Sequence, residues 1–424
     1  MTTTIYIKGL WHQGLVAAAV WSKMGLQVVC LCDTIEEATQ LQSGEMPIFE
    51  PGLSDLIASG IENGNLSFQL ITYDLPAPHF LALMHDTEVD ESDIVDTEII
   101  FDDLSKLLTF IKADTEVLIT AQIPAGTTQK ISNLIQECLM IEPRISYMPE
   151  NLRLGQGIER FECPRLPVIG ISNPDSCIPL AKLFAPETEL QFCEVIEAEV
   201  LKSALNGFLA LSITYGNEIS EICDFFEVSG TRVMKLLQLE ERIGYKVPIL
   251  PGLPFSGGTL GRDVQNLRGM TKTKNGVIEG IWNSNHTRKN YLVQYVLEVL
   301  TGNRVQRVGL IGLTYKTGTS TLRRSLAVEV AETLNEKKIE VFGYDPMFKE
   351  FDVPLSDSIK LQTSFHSLIL NAPILVIMTP WPEVIRDMKD LDLQNHTIID
   401  PFGIFAQEHS NFKNYFHFGG YGHS

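Results

Sequence analysis

Apolar residues open the chain in a short block, Thr4 to Ile7, which breaks at Gly9. After Gly14 comes a helix-like run, Leu15 to Met24, and then a second short apolar block, Val28 to Leu31. Short apolar blocks bounded by glycine suit buried strands, and the longer run between them suits a helix. Strand, glycine turn, helix and strand within about 30 residues is the layout of a dinucleotide-binding unit. The same alternation returns late in the chain. Gln306 to Ile311 is apolar and ends at Gly312, Leu326 to Lys337 has helical spacing, and Ile339 to Tyr344 ends at Asp345 and Pro346. Two α/β domains are expected, each around a parallel sheet.

Between them, Glu194 to about Ile222 runs without proline, and its apolar positions predict a long helix with nearly all faces buried. Tyr245 to Gly261 is rich in Gly and Pro and predicts an irregular loop. Boundaries near 195 and 302 give three parts, 1–194, 195–302 and 303–424. The fold class is α/β, with two doubly wound Rossmann-like domains joined by a long central helix and a helical middle domain. The last residues, from His417, read as a loose tail.

Composition narrows the function. Of 424 residues, 44% are hydrophobic and 20% charged, a balance of globular proteins rather than disordered ones. The net charge of -20 and the lack of a basic run disfavour nucleic acid as a partner. No apolar run is long enough to span a bilayer, so no membrane is expected, and the N-terminus lacks the features of a secretory signal. The seven cysteines (30, 32, 138, 163, 177, 193 and 223) are scattered, which reads as buried free thiols in a reducing cytoplasm rather than disulfides or a metal site.

Glu199, Lys202 and Asn206 stand three and four residues apart on the long helix and so share one face, among Val200, Leu201, Ala204, Leu205, Phe208 and Leu209. An unpaired buried ammonium costs several kcal/mol, so Lys202 must reach water or meet an anion. An ordinary Glu–Lys surface pair is an equal reading on spacing alone. GLWHQG, residues 9–14, matches G-x-G-x-x-G at Gly9 and Gly14 but has Trp11 where the middle glycine lets a pyrophosphate approach the helix N-terminus. Asp33 follows the second strand where an acid would hold the cofactor ribose, one residue later than the count from Gly14 expects, and a helix or turn cap is the alternative. FSGGTLGRD, residues 255–263, and RIG, residues 242–244, are not diagnostic alone. Gly257 and Gly258 suit a loop turn, Arg242 a surface acid, and Lys316 and Arg323 either phosphate or solvent.

Taken in order, the segments PIFEPGL (47–53), IPAGTT (123–128), PENLRLG (149–155), AEVLKSALNGFLA (198–210), RIG, GLTYKTGT (312–319) and YDP (344–346) resemble the UDP-glucose and GDP-mannose dehydrogenase family over nearly the whole chain. The resemblance implies NAD-dependent oxidation of C6 of a nucleotide-linked hexose, UDP-hexose above all, with NAD bound by the first domain, sugar nucleotide by the last, and a homodimer built on the middle one. Carried over by position, Lys202 would stabilise an oxyanion at C6, Asn206 would orient water and sugar, Glu150 would be the general base, and Asp263 the acid that follows the nucleophile. Gly9, Trp11, Gly14, Asp33 and Arg323 fall on the cofactor side. Arg242, Lys316, Leu152, Gly257 and Gly258 fall on the substrate side, Arg242 reaching a neighbouring subunit's sugar nucleotide.

The chain departs from the family where the second oxidation is carried out. The family's loop holds a cysteine four residues before its aspartate, and here that position is Thr259, or Leu260 counting forward from the glycines. A threonine hydroxyl is a far weaker nucleophile than a thiolate without a dedicated base. Gln122, Leu154 and the segment Leu81 to Asp93 depart as well. Two functions follow: a dehydrogenase that is incomplete or works by a cysteine-independent route, or a non-catalytic sugar-nucleotide-binding paralogue that has lost the redox reaction.

Overall fold

The computed structural model describes residues 3–72, 75–87, 89–90, 93–149, 152–351 and 353–419. Its contacts divide the chain into two compact units, Met1–Ala204 and Leu205–Ser424.

The first unit contains β1 (Thr4–Lys8), α1 (His12–Lys23), β2 (Gln27–Cys32), α2 (Ile35–Gln42), α3 (Leu53–Glu62), β3 (Leu66–Leu70), β4 (Phe80–Leu83) and α4 (Glu98–Leu107). It continues with β5 (Glu116–Ile119), α5 (Thr127–Leu139), β6 (Arg144–Tyr147), α6 (Gly157–Glu162), β7 (Val168–Ile171), α7 (Cys177–Ala181) and β8 (Gln191–Glu194). The strands form one sheet in the order β3-β2-β1-β4-β5-β6-β7-β8, parallel throughout except between β6 and β7. Strand order reverses between β1 and β4, the switch point at which open α/β sheets bind ligands. Helix α1 is buried on nearly every face, because Ala17, Ala18 and Ala19 let it lie close to its neighbours, α3 and α6 among them. The Trp21 indole N–H, fully buried, donates to the Leu183 carbonyl (2.9 Å).

The long helix α8 (Val195–Phe225) leads into the second unit, which continues with α9 (Gly230–Leu237), α10 (Leu260–Met270), α11 (Val277–Asn303), β9 (Arg307–Ile311), α12 (Leu326–Glu336) and β10 (Glu340–Tyr344). It ends with β11 (Lys360–Leu361), α13 (Phe365–Asn371), β12 (Ile374–Ile377), α14 (Pro382–Asp390), β13 (Leu393–Asp400) and β14 (Phe412–His417). Its six-stranded sheet, β11-β10-β9-β12-β13-β14, is parallel throughout and repeats the order 3-2-1-4-5-6 found in the first unit. No helix or strand lies between α9 and α10, where Gly and Pro predict a loop.

Three expectations are corrected. Helix α8 is not buried on nearly all faces, since Phe208, Tyr215, Ile222 and Phe225 are exposed. Apolar spacing records which positions prefer to avoid water, not whether this chain alone covers them. All seven cysteines are free, but only Cys30, Cys32 and Cys223 are buried, while Cys138 and Cys163 are exposed. The C-terminal stretch is not loose from its start, because Phe418 packs into the second unit's core and its ring lies against the guanidinium of buried Arg288. Among the described residues, no helix is long and apolar enough to cross a membrane.

Candidate active site

In the first unit the glycine turn is dictated by close approach. Gly9 has φ +95, and a Cβ there would lie 2.6 Å from the His85 amide nitrogen and the Met84 carbonyl carbon. A Cβ on Gly14 would lie 2.0 Å from the Gly9 oxygen, so strand and helix could not pack as they do. Trp11 is different. It precedes α1 with φ -96 and ψ -153, a backbone open to any residue, and its carbonyl accepts from the Leu15 amide (3.1 Å). The turn therefore keeps the shape of a dinucleotide cradle without a middle glycine, and a half-buried indole stands at the helix N-terminus.

Asp33 lies at the carboxyl end of β2 with a side chain 56% exposed, and its Oδ2 is 2.6 Å from the Nζ of Lys8, whose side chain is only 4% exposed. The cap of α2 is Thr34, whose hydroxyl accepts the Glu37 amide, so Asp33 does not cap this helix. Lys8 is also 3.5 Å from Asp103 Oδ2. Asp103 is bonded as well by His85 Nε2 (2.9 Å) and Lys106 Nζ (2.8 Å). Burial alone would raise the Asp103 pKa, but the His85 and Lys106 hydrogen bonds and the Lys8 charge outweigh it and hold the carboxyl well below its ordinary range.

Glu50, from the PIFEPGL segment, ties this turn to the residues after Pro149. It is buried, lies 2.6 Å from His12 Nε2 in the first turn of α1, and accepts the amides of Gly155 and Gly157 (both 2.9 Å). Burial works against its charge, yet these hydrogen bonds lower its pKa. Leu152 is half-buried and packs against the first unit's core, and Glu150 lies outside the described residues.

On α8, Glu199 and Lys202 are both buried, at 0% and 3% exposure, so the surface-pair reading is overturned. The Glu199 carboxylate caps α5 instead, accepting the amides of Gly126 (2.7 Å) and Thr128 (3.0 Å).

In the second unit the Asn206 Nδ2 donates to Asp263 Oδ2 at 2.5 Å, and both side chains are buried. Thr259 is exposed at the N-cap of α10, makes no side-chain cap bond, and accepts the Asp263 amide through its carbonyl. Gly257 must be glycine on two counts: its φ is +82, and a Cβ would lie 2.7 Å from the Tyr315 ring. Gly258 has no such constraint, since a Cβ there would meet only Arg262 at 3.6 Å. The loop carrying Lys316 packs here, with the Gly257 amide donating to the Arg324 carbonyl. The Lys316 ammonium stands over the Tyr315 ring, Arg323 is exposed, and Arg242 pairs with Glu240 (2.7 Å) at the surface.

The loop before Asp263 thus offers a hydroxyl and no thiol. Burial raises the thiols of Cys30, Cys193 and Cys223 and pushes Cys32 up to about 12, which disfavours the thiolate that nucleophilic attack requires. Sequence reading passed over Lys8, His12, Glu50, His85 and Asp103. Lys8 carried a signal, being a charge between the apolar strand block and the glycine turn; His85 and Asp103 become neighbours only when β4 and α4 fold together.

Comparison with known proteins covers most of this chain. Residues 3–188 match the UDP-glucose/GDP-mannose dehydrogenase family, NAD binding domain; residues 196–287 match its central domain; residues 309–407 match its UDP binding domain. The chain is 27% identical over 401 residues to the UDP-glucose 6-dehydrogenase of Rhizobium meliloti (strain 1021), covering 88% of this chain and 89% of that protein. It is 25% identical over 445 residues to UDP-glucose 6-dehydrogenase TuaD of Bacillus subtilis (strain 168), covering 97% and 91%. A UDP-glucose dehydrogenase from the hyperthermophilic archaeon Pyrobaculum islandicum has a similar structure, with TM-score 0.88, 25% identity and coverage of 98% and 97%. By three consecutive domains in the family's own order, this chain belongs to the UDP-glucose/GDP-mannose dehydrogenase family, whose members are NAD-dependent nucleotide-sugar dehydrogenases.

Proposed function

We propose that this chain oxidises the C6 alcohol of a nucleotide-linked hexose, a UDP-hexose first among candidates, and stops after one two-electron step. The observation that carries the reading is the buried Asn206–Asp263 pair, beside a loop in which the family's cysteine position falls on Thr259 or Leu260 and no thiol is present. When NAD is bound at the Gly9–Gly14 turn, its nicotinamide supplies the hydride acceptor. Alcohol and NAD+ then give aldehyde, NADH and one proton, so the atoms and electrons balance. In this reading Lys202 stabilises negative charge on the C6 oxygen as the hydroxyl proton leaves, and Asn206, held by Asp263, orients the sugar. Arg242, Lys316, Leu152, Gly257 and Gly258 hold the sugar nucleotide, and Gly9, Trp11, Gly14, Asp33 and Arg323 serve the cofactor, while Glu150, a base for water in the second oxidation, has no step to serve when the reaction stops at the aldehyde. A second oxidation through a covalent thiohemiacetal needs a thiolate, which Thr259 cannot provide.

The test counts NADH formed per sugar nucleotide consumed, with a carbonyl trap and mass analysis of the product. One NADH and a trapped aldehyde agree with the proposal. Two NADH with a uronate would refute the single step, and no turnover with any sugar nucleotide would point to a non-catalytic paralogue. The exposed apolar residues of α8, Phe208, Tyr215, Ile222 and Phe225, support a homodimer, which sedimentation would read as twice the chain mass. A cytoplasmic location belongs to the same proposal, on the grounds of seven free cysteines.

A further inference from the structure

We propose that Lys8 is a positioning residue for the adenosine ribose of the cofactor, and that the Lys8–Asp33 pair sets the preference for NAD over NADP. The inference rests on the first unit's binding NAD.

A lysine at the end of a central strand, 3% exposed, is costly unless paired. Here its ammonium bridges two carboxylates, Asp33 at 2.6 Å and Asp103 at 3.5 Å, immediately before the glycine turn. The deeper carboxylate already has two other donors, His85 and Lys106. The partner that depends on Lys8 is therefore Asp33, which is half-exposed beyond the end of β2, where an acid accepts the ribose hydroxyls. An unbound surface aspartate samples several rotamers, whereas this one is held by a buried cation and offers its remaining lone pairs outward. Its orientation is settled before the cofactor arrives, which lowers the cost of binding.

The same geometry excludes a 2′-phosphate. The Asp33 charge faces the position that such a phosphate would take, and the Lys8 charge behind it is already engaged. Removing the Asp33 side chain would uncover the Lys8 ammonium, with Lys106 nearby, and turn the place from anion-excluding to anion-accepting.

Calorimetric titration tests this with NAD+, with 2′,5′-ADP as the probe for a 2′-phosphate, and with UDP, together with an unshifted thermal transition of the first unit, as the controls for folding. Lys8→Met should weaken NAD+ by about tenfold or more, a 1.4 kcal/mol effect, and Lys8→Arg should recover most of it. Asp33→Ser should bind 2′,5′-ADP about tenfold or more tightly than the unaltered protein, and Asp33→Ser with Lys8→Met should lose that gain. NAD+ affinity unchanged in a UDP-binding Lys8→Met protein would overturn the proposal, as would Asp33→Ser with no gain for 2′,5′-ADP. If Lys8→Met fails either control, the Asp33→Ser result decides alone. Failure of the unaltered protein to bind NAD+ would instead overturn the NAD reading of the turn, and the inference with it.

Discussion

Glu199 separates a structural role from a catalytic one on the most polar face of α8, and its replacement has a size that the structure sets. The carboxylate is fully buried and supplies both acceptors for the start of α5, where the N-cap residue is Gly126 and has no side chain to offer. Each hydrogen bond to a charged group contributes about 1.5–3 kcal/mol, and the helix dipole adds to the preference for a negative charge at that point. Glu199→Ala leaves two amides without their acceptors and a cavity, so the expected loss is about 3–5 kcal/mol. Glu199→Gln keeps one oxygen but turns an NH2 toward an amide N–H, for an expected loss of about 2 kcal/mol. Urea unfolding followed by circular dichroism measures both, with the midpoint falling in the order unaltered, Gln, Ala and the slope unchanged. Activity per folded molecule of Glu199→Gln should stay within a few-fold of the unaltered protein. A Glu199→Ala protein within about 0.5 kcal/mol of the original would refute the cap, and a large activity loss at unchanged stability would place Glu199 in the chemistry.

Three other perturbations follow from the same structure. Gly9→Ala must relieve a 2.6 Å approach to backbone atoms at a φ of +95, so the first unit should lose about 3 kcal/mol or more, seen as an earlier thermal transition and loss of NAD+ binding. Thr259→Cys places a thiol at an exposed helix N-cap with little change in stability, and should raise NADH per sugar nucleotide from one toward two; an unchanged ratio would show that the missing thiol is not what limits the reaction. Glu116 is raised above the ordinary carboxylate value of 4.5 by burial, against hydrogen bonds from Ser146 and Ser176. The folded state holds its proton more tightly than the unfolded state, so its contribution is fully present below the unfolded pKa and is lost as pH rises through the folded one. Glu116→Gln should therefore gain stability relative to the original as pH rises from 4.5 toward 8, and parallel urea midpoints across that range would refute the assignment.

Local pattern carried the parts of this fold that local physics decides. The glycine turn, α8 and the two alternations of strand and helix follow from apolar spacing and from where Gly and Pro interrupt it. Partners could not be read in the same way. Glu199, Lys202 and Asn206 share a helix face by spacing, yet Glu199 meets residues 71 and 73 positions earlier, and Asn206 meets one 57 positions later. A face that looks like one polar site thus includes a helix cap and half of a buried amide–carboxylate pair. Exposure escaped the pattern for a related reason: Phe208 and Tyr215 are apolar as core residues are, but nothing in their spacing says what covers them.

Two of this chain's departures from the family pattern, at Trp11 and at Thr259, differ in what they change. At residue 11 the backbone is extended, so glycine's conformational freedom is not used there, and the constraints that shape the turn fall on Gly9 and Gly14, which are retained. The substitution leaves the strand-to-helix turn intact and puts a half-buried indole at the helix N-terminus, where the middle glycine would let a pyrophosphate approach. At residue 259 the surroundings are also ordered, with Gly257 fixed against Tyr315 and Asp263 bonded to Asn206, and in the proposed function the group offered there is a hydroxyl where the family's loop offers a thiol. A hydroxyl needs a base to become a nucleophile, whereas a thiol at a helix N-terminus is partly ionised near neutral pH. Hydride removal from the alcohol requires no nucleophile on the protein, and covalent capture of the aldehyde does. In the proposed function the sequence change therefore falls on the second oxidation and spares the first.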